Sequence, residues 1–255
     1  PPASTTKIVT AILALDMAPL DFLYTATPQA SAVGESSIYL EAGQQFTVEE
    51  LLRGALIPSG NDAAYALGEA TAGSENLFIH WLNIKGMVLG ATTIEFYNAN
   101  GLPSEQHKIS AYDLALITRY AMQNRIFVEI VKLPNDVIGQ NETRRYLKNT
   151  NKLLSNEYVI GVKTGTTDAA GACLVAAMEK DGRRVLSVVF HSPDRFQESL
   201  ALLNYGVENF YNINIAQTGD CLAIIKNRRQ EALPLLAGND GCFTLPQTVK
   251  KVQEN

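Results

Sequence analysis

Apolar residues recur at helical spacing through the first two thirds of the chain and then give way to β-rich runs. Ile8, Ile12 and Leu15 share one helical face, with Thr, Ala and Leu filling most of the rest, so residues 4–17 are predicted to be a helix. Thr47 and Glu50 have capping-box spacing ahead of Leu51, Leu52, Leu56 and Ile57, and Pro58 ends that helix. Ser59-Gly60-Asn61 then forms a polar corner before a helix that runs on from Asp62. Ser74 is expected to start a helix reaching Leu89-Gly90, and Ser110 with Asp113 one that continues through Tyr120. Beyond them, 158–162, 172–178 and 184–190 read as three successive antiparallel strands, the last two flanking the turn Asp181-Gly182. Ser192-Pro193 reads as the cap and first residue of a helix that carries Phe196, Leu200, Leu203 and Val207 inward. Short strand-like pieces follow Tyr211, at Cys221 to Ile225 and Phe243 to Leu245. The fold class expected is α+β, a helical lobe with an antiparallel sheet, followed by the start of a small β module. No internal repeat or low-complexity segment interrupts it.

Composition narrows the function. The chain has 255 residues, 46% of them hydrophobic, enough for a buried core. Lys and Arg number 21 against 26 Asp and Glu, which leaves no basic footprint for nucleic acid. Cys173, Cys221 and Cys242 are odd in number and lack C-x-x-C spacing, so they imply neither a zinc site nor a disulfide framework. No apolar run approaches the roughly 20 residues of a membrane span, and no signal peptide is present.

Three short motifs carry the chemistry: Ser4-Thr5-Thr6-Lys7, Ser59-Gly60-Asn61 and Lys163-Thr164-Gly165. A serine hydroxyl needs a base within reach and donors for the oxyanion it generates. Lys7 lies one helical turn from Ser4, on the same face. Partly desolvated and near a second ammonium, that of Lys163, it can carry a lowered pKa and accept the Ser4 proton. Ser59 is placed to relay a proton toward the leaving amine and Asn61 to orient the scissile amide. The backbone N–H groups of Ser4 and Thr166 are candidate oxyanion donors. Along Lys163-Thr164-Gly165-Thr166-Thr167, hydroxyls and a close-approach glycine suit an extended peptide added to a strand edge. Each motif alone reads as a helix cap, a turn or a strand end; their order argues for a site. His80, His107 and His191 read as packing, surface or strand-end residues, since no G-x-S-x-G elbow accompanies them, and nothing suggests a metal or organic cofactor.

With Pro2-Ala3 ahead of the first motif, Thr47-Val48-Glu49-Glu50-Leu51-Leu52 leading to Ser59-Gly60-Asn61-Asp62-Ala63-Ala64, Phe96, Asn98, Gly101-Leu102 and Gly161-Val162 before Lys163, the chain resembles the D-alanyl-D-alanine carboxypeptidases, the low-molecular-weight penicillin-binding proteins. The resemblance covers residues 1 to about 211. It implies a β-lactamase/transpeptidase-like catalytic domain over 1–211 and a partial C-terminal β domain over 212–255. It also implies that Ser4 is acylated by the penultimate D-Ala of a peptidoglycan stem peptide ending in D-Ala-D-Ala, that Lys7 is the general base, and that β-lactams acylate the same serine. Arg195 matches a family arginine and, with Lys163 and Thr166, would bind the substrate's terminal carboxylate, for which a guanidinium is well shaped. The implied location is outside the cytoplasmic membrane. Two family strands ahead of the first motif and the terminal membrane anchor are not in this sequence, so the chain reads as a fragment, with membrane contact only through an anchor outside it. Two alternatives stay open: a class A-like β-lactamase, for which Glu95 would be the water-activating carboxylate, and an inactive muropeptide-binding relative.

Overall fold

The computed structural model describes residues 1–226, 230 and 232–249. They form two compact units, one of Pro1–Glu179 with Arg184–Leu203, the other of Lys180–Arg183 with the described residues from Asn204 on.

In chain order the elements are α1 (Lys7–Met17), β1 (Leu23–Thr25), α2 (Pro28–Ser31), β2 (Gln45–Thr47), α3 (Val48–Leu56), α4 (Asn61–Ala72), α5 (Glu75–Val88), α6 (Ala111–Ala121), α7 (Arg125–Val131), β3 (Asn135–Ile138), β4 (Arg145–Lys148), β5 (Val159–Thr167), β6 (Gly171–Lys180), β7 (Arg183–Val189), α8 (Arg195–Asn209), β8 (Phe210–Ala216), β9 (Cys221–Lys226), β10 (Ala232–Leu236) and β11 (Gly241–Pro246). The arrangement is α+β.

The first unit is organised around α1. Its residues Ile8 to Ala14 are apolar on almost every face, and a helix of that kind is stable only when surrounded. Residues Lys7 to Ala14 are all buried, and α1 packs against α3, α4, α5 and α6. The capping box forms at α3: the Thr47 hydroxyl accepts from Glu50 N at 3.2 Å, and Thr47 N donates to the Glu50 carboxylate at 2.9 Å. Ser74 and Ser110 cap α5 and α6 through Leu77 N and Asp113 N.

The sheet of this unit has the order β5-β6-β7. β5 and β6 pair antiparallel with Lys163 opposite Val175 and Gly165 opposite Cys173, so β5 lies at one edge of the sheet. The start of α8 departs from expectation: the helix begins at Arg195, and the Asp194 carboxylate accepts from Gln197 N at 3.2 Å. Asp194, three residues before that donor, displaces Ser192 as the cap because its charged acceptor meets the helix N-terminus at closer range.

In the second unit β8 pairs with β11 and β9 with β10, both antiparallel. The β8–β11 ribbon sets Tyr211 opposite Leu245 and Ile213 opposite Phe243.

Candidate active site

Ser4 does not open a regular α-helix. It sits in a 3-10 turn, Ala3–Thr6, that runs directly into α1, so Ser4 and Lys7 still lie one turn apart. Ala3 has φ of 50°, in the left-handed region that non-glycine residues seldom enter. Two threonine hydroxyls brace the turn: Thr5 donates to the carbonyl of Pro2 at 2.7 Å and Thr6 to that of Ala3 at 2.8 Å. Gly101, at φ of 84°, lies against the Ala3 carbonyl so closely that a Cβ there would stand 2.0 Å from its oxygen. A Cβ on Gly165 would stand 3.0 Å from Ser4 N, so glycine at that position lets the edge of β5 approach the turn.

Lys7 is fully buried at the centre of the cluster. Its Nζ lies 2.9 Å from Ser4 Oγ, 2.7 Å from Asn61 Oδ1, 2.9 Å from the carbonyl oxygen of Asn100 and 3.5 Å from Ser59 Oγ. Two of these neighbours, the carbonyl oxygens of Asn61 and Asn100, can only accept. A neutral amine has two N–H bonds for them and keeps its lone pair for a hydroxyl. Burial lowers the Lys7 pKa well below the ordinary lysine value, and the charge of Lys163 lowers it further. A lysine so placed can act as a base.

Each partner of Lys7 is fixed by its own neighbours. Asn61 donates its Nδ2 to the carbonyl of Gly34 at 2.9 Å, which turns Oδ1 toward Lys7. Each end of the Asn61 amide thus has one partner within the protein, which fixes its orientation and leaves its second N–H unassigned by these two bonds. Asp62, the next residue, is buried and accepts from Ile38 N, Leu40 N, Ala63 N and the Ser37 hydroxyl, holding the 34–40 loop over α4. Ser59 carries φ of 75°, a second non-glycine residue in the left-handed region beside the reactive group. The Asn100 carbonyl is delivered by a loop pinned at several points. Asn83 binds both backbone groups of Phe96 (2.8 and 2.9 Å), Thr10 donates to the Ala99 carbonyl at 2.6 Å, and Asn98 receives Gly101 N at 2.7 Å.

Across the cluster, Lys163 is buried on β5 and its Nζ donates to the Thr164 carbonyl at 3.1 Å. Its pKa is lowered to about 7, by burial first and then by the charge of Arg195. The Thr164 hydroxyl meets that of Thr150 at 2.5 Å. Arg195 reaches β5 from α8, its Nη1 donating to the Gly165 carbonyl at 2.8 Å and to Thr166 Oγ1 at 2.7 Å. The nine residues singled out by the sequence therefore fall on three neighbouring pieces of structure: the 3-10 turn with α1, the Ser59–Asn61 corner, and the β5 edge with Arg195. Beside them a largely apolar cavity of about 360 Å³ is flanked by Gly101 and Thr167 and walled by Leu102, Pro103 and Ala169.

Sequence reasoning missed four contributors: the Asn100 carbonyl, Thr150, Asp62 as the loop clamp, and Thr6 with His107 beneath the Ser4 turn. Asn100-Gly101 carried the best available signal, since a glycine after a polar residue marks a constrained loop. Glu95 is ion-paired with Lys108 at 2.8 Å and accepts from the Tyr97 hydroxyl, which gives its carboxylate partners other than the Ser4–Lys7 pair. Among the described residues no group of three or more His, Cys, Asp or Glu is placed to hold a metal ion, and no helix is long and apolar enough to cross a membrane.

A family model described as D-alanyl-D-alanine carboxypeptidase matches residues 1–194. D-alanyl-D-alanine carboxypeptidase DacF of Bacillus subtilis is 37% identical over 196 residues, which is 74% of this chain and 50% of that protein. DacB2 of Mycobacterium tuberculosis is 30% identical over 215 residues, 81% of this chain and 74% of that protein. Among solved structures, penicillin binding protein 5 from Haemophilus influenzae superposes with a TM-score of 0.86 at 27% identity, covering 96% of this chain and 75% of that one. The Streptomyces K15 DD-transpeptidase gives 0.76 at 32% identity, over 80% of this chain and 87% of that one. The chain spans half the length of the Bacillus relative.

Proposed function

The chain belongs to the D-alanyl-D-alanine carboxypeptidase family, and from that premise we propose that it is a serine-type carboxypeptidase that removes the terminal D-alanine from peptidoglycan stem peptides outside the cytoplasmic membrane. The observation that carries the reading is the buried Lys7 amine, 2.9 Å from Ser4 Oγ with two carbonyl oxygens as its other close neighbours.

In the proposed sequence the stem peptide adds along the β5 edge, its terminal carboxylate held by the charges of Lys163 and Arg195 and by the Thr166 hydroxyl. Neutral Lys7 takes the Ser4 proton as Oγ attacks the penultimate D-Ala carbonyl carbon. The oxyanion that develops is met by the N–H groups of Ser4 and Thr166, aimed at a charge absent from the ground state. As the C–N bond breaks, the departing D-alanine nitrogen gains a proton through Ser59, which lies within reach of Lys7. Water then attacks the ester and gives a proton to Lys7, and as the C–O bond to Ser4 breaks Lys7 returns that proton to Ser4 Oγ, freeing the shortened peptide and restoring the neutral amine. β-Lactams enter as amides that open on Ser4 while their leaving group stays tethered.

Intact-mass measurement after incubation with benzylpenicillin, with Ser4→Ala as control, tests this reading together with release of D-alanine from a tripeptide ending in D-Ala-D-Ala. A lasting adduct abolished by Ser4→Ala, with D-alanine released, is the expected result. Rapid loss of the drug with no lasting adduct would instead make the protein a β-lactamase, and neither adduct nor hydrolysis would reject acyl transfer.

A further inference from the structure

Beneath the Ser4 turn lies a buried histidine outside the sequence motifs. His107 stacks on Phe96 with ring centroids 4.5 Å apart and planes within 7°. Its Nδ1 faces the backbone N–H of Tyr97 at 3.2 Å, and its Nε2 faces Thr6 Oγ1 at 2.9 Å. These contacts fix the ring's tautomer. Tyr97 N–H can only donate, so Nδ1 must be bare and the ring proton sits on Nε2, directed at Thr6. The Thr6 hydroxyl, accepting from His107, has its own proton free for the Ala3 carbonyl at 2.8 Å. The chain of donors thus runs one way, from Tyr97 through His107 and Thr6 to Ala3.

That carbonyl belongs to the peptide whose nitrogen is Ser4 N. It follows a residue at φ of 50°, and it is wedged against Gly101. A peptide entered from the left-handed region has a competing orientation with an ordinary φ, and only its fixed neighbours hold it in place. We propose that His107 is a positioning residue for acyl transfer: through Thr6 it locks the Ala3–Ser4 peptide so that Ser4 N–H stays aimed at the developing oxyanion. The assignment rests on the reading of Ser4 as the nucleophile. Burial supports it from another side, lowering the His107 pKa to about 4 and so keeping the ring neutral at the pH where the enzyme would work. A charged ring would carry a proton on Nδ1 and collide with Tyr97 N–H.

The test compares the full chain with Thr6→Val, which keeps the shape and loses the hydroxyl, and Thr6→Ser, which returns it. Benzylpenicillin acylation is followed by intact mass across drug concentrations, to separate the initial binding constant from the acylation rate constant. The expected result is a roughly 10- to 100-fold lower acylation rate constant in Thr6→Val, with initial binding within about twofold, and recovery to within about threefold in Thr6→Ser. An unchanged rate constant in Thr6→Val, or an equal loss in both variants, overturns the proposal, because packing rather than the hydroxyl would then matter. A second measurement stands even if Thr6→Val does not fold: ¹⁵N NMR of the unsubstituted chain should show His107 as the Nε2–H tautomer, and the Nδ1–H tautomer or a charged ring at pH 7 overturns the proposal. An unsubstituted chain that forms no Ser4 adduct rejects the acyl-transfer reading itself, while the tautomer still decides whether the His107–Thr6–Ala3 chain exists.

Discussion

Replacing Asp62 by asparagine changes two atoms' chemistry and almost no volume, which isolates what the carboxylate does. Oδ1 receives Ile38 N at 3.0 Å and Ala63 N at 2.9 Å, while Oδ2 receives Leu40 N at 3.0 Å and the Ser37 hydroxyl at 2.6 Å. Asparagine has one oxygen. With that oxygen in the Oδ1 place, its NH₂ confronts Leu40 N–H; flipped, it confronts Ala63 N–H, while Ile38 N, which also reaches Oδ2 at 3.2 Å, keeps an acceptor. Either way one buried N–H loses its acceptor, at about 1–3 kcal/mol, and the surviving bonds lose their charge assistance. The expected cost is about 2–4 kcal/mol for Asp62→Asn and about 4–5 kcal/mol for Asp62→Ala, which strips both loop N–H groups. The loop so released carries Gly34 O and Ser36 O, which hold Asn61 Nδ2 at 2.9 Å and Asn61 N at 2.7 Å, so benzylpenicillin acylation should slow alongside. Urea unfolding followed by Trp81 fluorescence is the assay, since the only tryptophan lies on α5 within the first unit. A lowered midpoint with an unchanged slope is expected. An Asp62→Asn midpoint corresponding to less than about 0.5 kcal/mol of destabilisation would refute the account.

Acylation should show a bell-shaped pH profile, its rising limb from Lys7 losing a proton and its falling limb from Lys163, whose pKa lies at about 7, losing the charge that holds the carboxylate. Lys163→Arg keeps that charge and should push the falling limb to higher pH; an unmoved limb would reject the assignment. Because the Lys163 pKa is lowered on folding, the unfolded chain binds more protons between about 7 and the ordinary lysine value, so stability should rise with pH across that window. Asn61→Asp sets a carboxylate where Lys7 Nζ now finds Oδ1 at 2.7 Å, which favours the ammonium and should shift the rising limb of the acylation profile to higher pH, as stopped-flow measurement can determine. Gly101→Ala puts a methyl group 2.0 Å from the Ala3 oxygen at φ of 84°, and should destabilise by about 3 kcal/mol or more and abolish the adduct seen by intact mass.

The parts of this molecule that were legible in its sequence are those whose physics is local. The i, i+3 spacing of Ser4 and Lys7 survives the change from α to 3-10 geometry because both put residues one turn apart on the same side. The Thr47–Glu50 box and the β5–β6–β7 run follow from capping chemistry and from short β-rich stretches separated by turn residues. What escaped depends on distant chain. The Asn100 carbonyl is a backbone group and carries no residue signature, although it lies as near Lys7 as Ser4 does. His107 reads as packing until Thr6, far away in sequence, is brought against it. Thr150 looks like a connecting threonine until β5 presents Thr164. At α8 the miss was local competition: Ser192-Pro193 and Asp194 both offered a start, and the charged acceptor nearer the helix prevailed.

The surroundings of Lys7 suit both of its protonation states without rearrangement. As an ammonium, it has three donors for Asn61 Oδ1, the Asn100 carbonyl and Ser4 Oγ, at 2.7, 2.9 and 2.9 Å. As an amine, it gives its two N–H bonds to the same two carbonyls and keeps its lone pair for a hydroxyl, of which Ser4 Oγ at 2.9 Å is nearer than Ser59 Oγ at 3.5 Å. A proton can therefore pass along the Ser4–Lys7 hydrogen bond while every heavy atom stays where it is, which removes the reorganisation that the same transfer would require in water. That economy depends on both carbonyls being immobile. It accounts for the share of this fold devoted to them: Asn83, Thr10 and Asn98 fix the loop that bears Asn100, and the Asp62-clamped loop holds Asn61 from the other side. Lys163 lacks such a cage. Its Nζ donates to the Thr164 carbonyl, and its charge is opposed by Arg195, as befits a cation whose proposed partner, a carboxylate, arrives with the substrate.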